Sequence, residues 1–221
     1  DFNGTFDKSL LQKYPNLTSI TIPNDVTTIG SGAFNGCTSL TSITIPEGVT
    51  SIGSSAFSSC SNLTSITIPV SVTSIGSSAF MHCSSLTSIT IPNNVTTISD
   101  YTFWGCSNLT SVIISDGVTS IGFNAFRFCS SLASINLPEG LTSIGDYAFG
   151  DCSSLTSVDI PSSVTSINSG VFYYCSSLTS VTIPNSVTSI GSSAFLGCSS
   201  LTSINYTGTE EQWNDISKGT D

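Results

Sequence analysis

Residues 40–62 read LTSITIPEGVTSIGSSAFSSCSN, and the chain restates this string, with small changes, every 23 residues. Cys37, Cys60, Cys83, Cys106, Cys129, Cys152, Cys175 and Cys198 keep that step, as do Phe34 to Phe195 and Leu17 to Leu201. A fixed repeat of this length is the mark of a stacked array, and it takes precedence over any element-by-element reading. Within the unit, Ile43 and Ile45 alternate with Thr44, the pattern of a short strand with one buried face. Pro46 removes a backbone donor and ends the pairing. Val49 to Ile52 predicts a second, shorter strand, and Gly53 permits the turn after it. Ala56, Phe57 and Cys60 stand at i, i+1 and i+4, which predicts a helical or 3-10 turn with one inward face.

One such unit offers about eight inward residues and cannot enclose them, so it must be covered by its neighbours. The expected architecture is a right-handed solenoid of stacked 23-residue rungs, with a parallel β-sheet, a second short strand and a turn per rung. Rungs lie about 4.8 Å apart, the spacing of paired strands. The chain divides into a degenerate N-terminal half-rung or cap (1–16), eight repeats (17–200), and a last strand with a capping helix (201–221). At the front, a shift of 23 places Phe6 on Ile29, Leu10 and Leu11 on Ala33 and Phe34, and Tyr14 on Cys37. At the back, Thr209-Glu-Glu-Gln212 has the form of a capping box, with Trp213 and Ile216 on one face of the helix that follows.

Composition narrows the function. Of 221 residues only 8% are charged, and four Lys/Arg against fourteen Asp/Glu give a net charge of −10. Ser and Thr occupy the surface that charges usually take. No basic cluster exists to neutralise phosphates, so nucleic acid is excluded as an expected partner, and so is an anionic membrane surface. No apolar run reaches the roughly 18 residues of a membrane span. The chain is expected to open inside a repeat, as a trimmed fragment would.

The repeat C-x-x-L-T-S-I-x-I-P-x-x-V-T-S-I-G-x-x-A-F resembles that of the BspA-like leucine-rich-repeat proteins over about Leu17 to Leu201. The stretch Tyr206-Thr-Gly-Thr-Glu-Glu-Gln-Trp213 is similar to the closing segment of such arrays. The resemblance implies a leucine-rich-repeat solenoid in an extracellular or cell-surface protein. It also implies binding to host matrix proteins, other cells or glycans, with no catalytic residues and no cofactor to carry over. Three positions depart from the pattern: Ser115 replaces the proline, and Ser99 and Asn168 replace the turn glycine.

Candidate chemistry is sparse. Equivalent cysteines on adjacent rungs have parallel Cβ vectors that suit a ladder of buried thiols better than disulfides, and a line of thiols does not converge on zinc. His82 is the single histidine, and its outward position opposes any pairing with the inward Cys83. Glu47, Asp116 and Glu139 share a column without forming a calcium loop. Thr27, Thr50, Thr73, Thr96, Thr119, Thr142, Thr165 and Thr188 form a hydroxyl column that suits a strand, and an ice-binding surface is its remote alternative.

The rungs differ most in the two residues before Ala-Phe and the two after it. There the middle rungs collect Tyr101, Trp104, Phe123, Arg127, Phe128, Tyr147, Tyr173 and Tyr174. Helical spacing pairs Tyr101 with Trp104 and Phe123 with Arg127, and rung alignment makes the set one outer aromatic strip. The leading expectation is a non-catalytic binding or adhesion module whose partner is a protein or glycan on another cell or matrix. A purely structural spacer is the alternative, and an enzyme the distant third.

Overall fold

A unit too short to close its own backbone hydrogen bonds must pass them to its neighbours. The computed structural model, which describes residues 5–6 and 16–220, does this on three sides of a β-solenoid of about eight 23-residue turns. The expectations for Leu10, Leu11 and Tyr14 lie outside the described residues.

The front side carries the first strand of each rung, as in Ser42–Thr44, Ser65–Thr67 and Ser180–Ile183. Pairing is parallel and advances by 23, with Ile43 opposite Ile66 and Val181 opposite Ile204. Ile43 and Ile45 are buried while Thr44 faces solvent, as the alternation requires. The back side carries two-residue strands such as Ser51–Ile52 and Ser74–Ile75, also parallel. Thr5–Phe6 joins this ladder with Phe6 opposite Ile29, the register anticipated by the 23-residue shift.

The back ladder is interrupted twice, between Ser74–Ile75 and Thr97–Ile98 and between Ser143–Ile144 and Ser166–Ile167. Both breaks fall where the turn glycine is replaced. In a regular rung the glycine amide donates to the isoleucine one rung back, as Gly53 N does to Ile29 O at 2.8 Å. At Ser99 and Asn168 a side chain takes that carbonyl: Ser99 Oγ donates to Ile75 O and Asn168 Nδ2 to Ile144 O, each at 2.7 Å. The substitutions preserve the fold and interrupt its pairing. On the front side the segment around Ile135 is not a strand. Ala133, Asn136 and Leu137 stand there in place of Thr and Ile, which favour strands more.

Glycine is needed at the regular turn because the rungs nearly touch. A Cβ on Gly76 would lie 2.5 Å from the amide nitrogen of Ser54. Gly76→Ala is therefore expected to cost about 1–3 kcal/mol in urea unfolding. A loss below about 0.5 kcal/mol would mean that the stacking is looser than this distance implies.

The third side takes the 3-10-like form of the expected turn, without continuous helix. Ala33, Asn35 and Cys37 amides close i→i−3 bonds, while those of Gly32, Phe34 and Gly36 donate forward to Ser54, Ala56 and Ser58 at 2.7–2.9 Å. An α-helix would spend nearly every amide internally and leave none for the next rung. Alternation supplies both, and it places left-handed residues two before and two after each Phe, such as Ser55 (φ 54°) and Ser59 (φ 61°). Inside, the Phe rings form one column with centroids 5.0–5.8 Å apart from Phe34 to Phe195. Beside it, Cys60 to Cys175 are buried unbridged thiols. Each donates to the Phe carbonyl one rung back, as Cys106 Sγ does to Phe80 O at 3.1 Å.

At the C-terminal end the helix Glu210–Asp215 has the capping box in full. Gln212 N donates to Thr209 Oγ1 at 3.2 Å and Thr209 N to Gln212 Oε1 at 2.9 Å. Trp213 packs on Tyr206, and Ile216 is buried. Beyond the helix, Ser217–Lys218 pairs with Ser189–Ile190, a strand the sequence pattern did not suggest. This tail covers the back ladder. Phe195, Cys198 and Leu201 stay half-buried, and Ile204 is exposed.

Candidate functional site

The variable positions all belong to the third side, where the alternating backbone turns two residues of each rung into left-handed geometry. Glycine meets this demand at Gly32, Gly36, Gly105, Gly170 and Gly197. Elsewhere Ser, His, Asn and Asp hold it, as at Ser55, Ser78 and Ser193, and four bulky aromatic residues do so too: Tyr101 (φ 56°), Phe128 (φ 62°), Tyr147 (φ 55°) and Tyr174 (φ 53°). Each such position costs a non-glycine residue about 1–3 kcal/mol. The glycines that remain act as seats. A Cβ on Gly105 would lie 2.8 Å from His82 Nδ1, one on Gly170 2.3 Å from Tyr147 Cε1, and one on Gly197 2.8 Å from Tyr174 Cγ. Each ring thus lies flat along the solenoid axis, over the next rung's glycine.

Six of the eight sequence-derived residues join into one chain of contacts. Trp104 meets Phe128 edge-on at 5.3 Å. The Arg127 guanidinium lies 4.9 Å from the Phe128 ring centre, 5.0 Å from Tyr147 and 5.9 Å from Tyr173. Tyr173 in turn touches Tyr147 at 5.6 Å and Tyr174 at 4.6 Å. The other two, Tyr101 and Phe123, form their own edge-on pair at 5.2 Å, and among the described residues no ring contact ties it to the chain. The pairings drawn from helical spacing give way to pairings across rungs. Neighbouring rungs bring together residues 20–26 apart, in place of the residues three or four apart that a helical turn would join.

Three residues join the site that residue type alone did not suggest. His82 extends the chain, its ring 4.4 Å from Trp104. Asp151 holds Arg127, Nε to Oδ2 at 3.0 Å, and so neutralises the cation at the centre. Asn124 occupies the left-handed column between Tyr101 and Tyr147; it is 4% exposed, and its Oδ1 has no partner among the described residues. Reading down the column two after Phe (His82, Gly105, Phe128, Asp151, Tyr174) would have found the first two. The orphaned acceptor leaves no sequence signal.

The strip is half-buried, and its most open rings are Tyr174 (50%), Phe128 (38%) and Phe123 (37%). Around it Asp100 Oδ1 accepts from Phe123 N at 2.8 Å and Asp146 Oδ1 from Ser169 N at 3.1 Å. The surface is therefore aromatic with an acidic border, suited to stacking and hydrogen bonding and unsuited to polyanions.

The remaining candidates serve the scaffold. Cys83 is buried and its thiol donates to Phe57 O at 3.1 Å, while His82 lies outside. Thr50, Thr73, Thr119, Thr142 and Thr188 donate their hydroxyls to the Thr carbonyl one rung back at 3.1–3.3 Å. Those protons are committed to the ladder, so an ice surface would have to form without them. Among the described residues no helix is long and apolar enough to cross a membrane.

The sequence profile of the BspA-type leucine-rich-repeat region, in six copies, matches residues 5–114 and 96–217. Among solved structures, a leucine-rich cell surface protein from Faecalibacterium prausnitzii A2-165 is 30% identical, with a TM-score of 0.51. That match covers 96% of this chain and 84% of the other. A leucine-rich-repeat protein of T. pallidum is 28% identical over 84% of this chain and 78% of its own, with a TM-score of 0.58. No curated protein matches the chain.

Proposed function

The chain belongs to the BspA-type leucine-rich-repeat family, and from that premise we propose that it is a non-catalytic recognition module displayed at the cell surface. The strip centred on Arg127 grips a protein or glycan ligand on another cell or matrix. The observation that carries this reading is the left-handed geometry of Tyr101, Phe128, Tyr147 and Tyr174. A spacer would be served better by glycine at those positions, and strain kept against stability is characteristic of binding sites. Two further features support it. Asn124 Oδ1 is buried without a donor in the same column, and such groups call for an explanation that stability does not supply. The strip's one cation is already neutralised by Asp151, so stacking, not charge, does the holding.

A structural spacer is the second reading, favoured by the way the rings pack on one another. Replacing Trp104, Phe128 and Tyr174 together by Ser separates the two, because other rungs carry Ser at equivalent sites, such as Ser58 and Ser59. Wild-type and triple-variant chains are compared on an array of matrix proteins and glycans, with circular dichroism reporting the fold. The recognition reading expects at least about a 30-fold loss, the effect of one hot-spot residue or more. A folded variant that binds as wild type, or a wild type that binds no probe, leaves the spacer.

A further inference from the structure

The C-terminal end of the solenoid carries a second surface, away from the strip and independent of it. Among the described residues, the last front strand, Ser203–Tyr206, pairs on one side only, with Ser180–Ile183. Ser203 N and Thr207 N donate back to Thr179 O and Ile183 O at 3.2 and 3.0 Å. The alternation of a parallel ladder turns the amide of Ile204 to the open side. Proteins usually blunt such an edge with charge, proline, a bulge or brevity. This strand carries none of the first two, and at four residues it equals the longest strands described. Thr207 even replaces the proline of earlier rungs, and its hydroxyl accepts from Asn185 N at 3.0 Å.

Beside the open edge lies a cavity of about 490 Å³ lined by Ile204, Tyr206, Thr209, Glu210 and Trp213. Ile204 is 44% exposed, and the Tyr206 and Trp213 rings stand 5.3 Å apart at the far end. Lys218 is occupied against Trp213, 5.0 Å from its ring, and donates to Trp213 O at 2.7 Å. Glu210 is the one charged group in the lining, and Glu211 and Asp215 are exposed on the same short helix.

We propose that this end is a strand-addition site for an extended, basic polypeptide segment. Such a segment continues the front ladder along Ile204, seats an apolar side chain between Ile204 and Trp213, and sets a cationic one against Glu210. An open ladder requires a polypeptide backbone, since only peptide groups match its spacing of donors and acceptors. The net charge of −10 selects a basic sequence over an acidic one.

The test uses a fluorescein-labelled peptide of alternating valine and lysine, read by anisotropy. Binding is expected at about 10–100 μM. It should weaken at least about tenfold when the peptide is N-methylated on its pairing face, because the ladder bonds are then blocked. Ile204→Pro should do the same, since it removes the outward donor at a place where an edge strand tolerates proline. Glu210→Gln should weaken it about threefold, and a peptide with glutamate for lysine should bind more weakly than either. The Trp104, Phe128, Tyr174 triple variant should bind the peptide as wild type does, which keeps this result apart from the fate of the strip. Equal binding of methylated and plain peptides, full binding by Ile204→Pro, or no binding at about 1 mM overturns the proposal. So does a wild-type dimer in sedimentation that Ile204→Pro abolishes, because the occupant would then be a second copy.

Discussion

Between about pH 9 and 12 the protein is expected to lose stability at a rate on the order of 8 kcal/mol per pH unit, far more steeply than an ordinary domain. The cause is the thiol column. Burial pushes the thiols of Cys106 and Cys152 up to about 12, and those of Cys60, Cys83, Cys129 and Cys175 well above the ordinary value, with neighbouring thiols adding to the rise at all four of the latter. The hydrogen bonds to Phe carbonyls keep the protonated form in place, as at Cys129 Sγ to Phe103 O. In the unfolded chain the same thiols ionise from about pH 9. The unfolded state therefore binds fewer protons than the folded one above that pH, and stability falls as pH rises; it is fully present below. Each buried thiol contributes a slope of about 1.4 kcal/mol per unit, and six act together.

The measurement is a set of urea midpoints from about pH 8 to 11. Cys106→Ala should lower stability at neutral pH and reduce the alkaline slope by about 1.4 kcal/mol per unit. An unchanged slope in that variant would mean that the buried thiol column is not the source of the alkaline loss.

Phe103→Ala is expected to cost about 3–5 kcal/mol, the range for deleting a fully buried aromatic side chain. Phe103 has no exposed surface and lies between Phe80 at 5.5 Å and Phe126 at 5.2 Å, with near-parallel rings. Neither neighbour can move into the gap, because each is held by its own rung and the rungs are spaced by backbone hydrogen bonds. In a stacked array each unit leans on the two beside it, so a hole at the centre weakens two interfaces. Phe195→Ala supplies the comparison. Phe195 is half-buried and, among the described residues, stacks only on Phe172, at 5.6 Å, and its loss should cost less than half as much. Equal costs in urea unfolding would mean that the ring column is not what couples the rungs.

The strip shows how far residue types carry. Tyr101, Trp104, Phe123, Arg127, Phe128, Tyr147, Tyr173 and Tyr174 were legible as a set, because they are bulky residues in columns that the first two rungs fill with Ser, Gly and Asn. Their partners were not. His82 and Asp151 enter through neighbours 22 and 24 residues away. The two ladder breaks tell the same story: Ser99 and Asn168 stood out as departures, but that each would capture the carbonyl one rung back depended on side-chain reach.

What the sequence alone determined is the stacking: a 23-residue period in Leu, Phe and Cys leaves apolar columns that only a solenoid can bury, and its register sets which residues lie above which. What only the tertiary structure decided is how the third side closes and where its side chains go. A helix and an alternating run of turns bury the same Ala, Phe and Cys, so the apolar pattern cannot choose between them. The choice falls to backbone amides that need acceptors on the next rung, and it is their alternation that lays the aromatic rings along the axis.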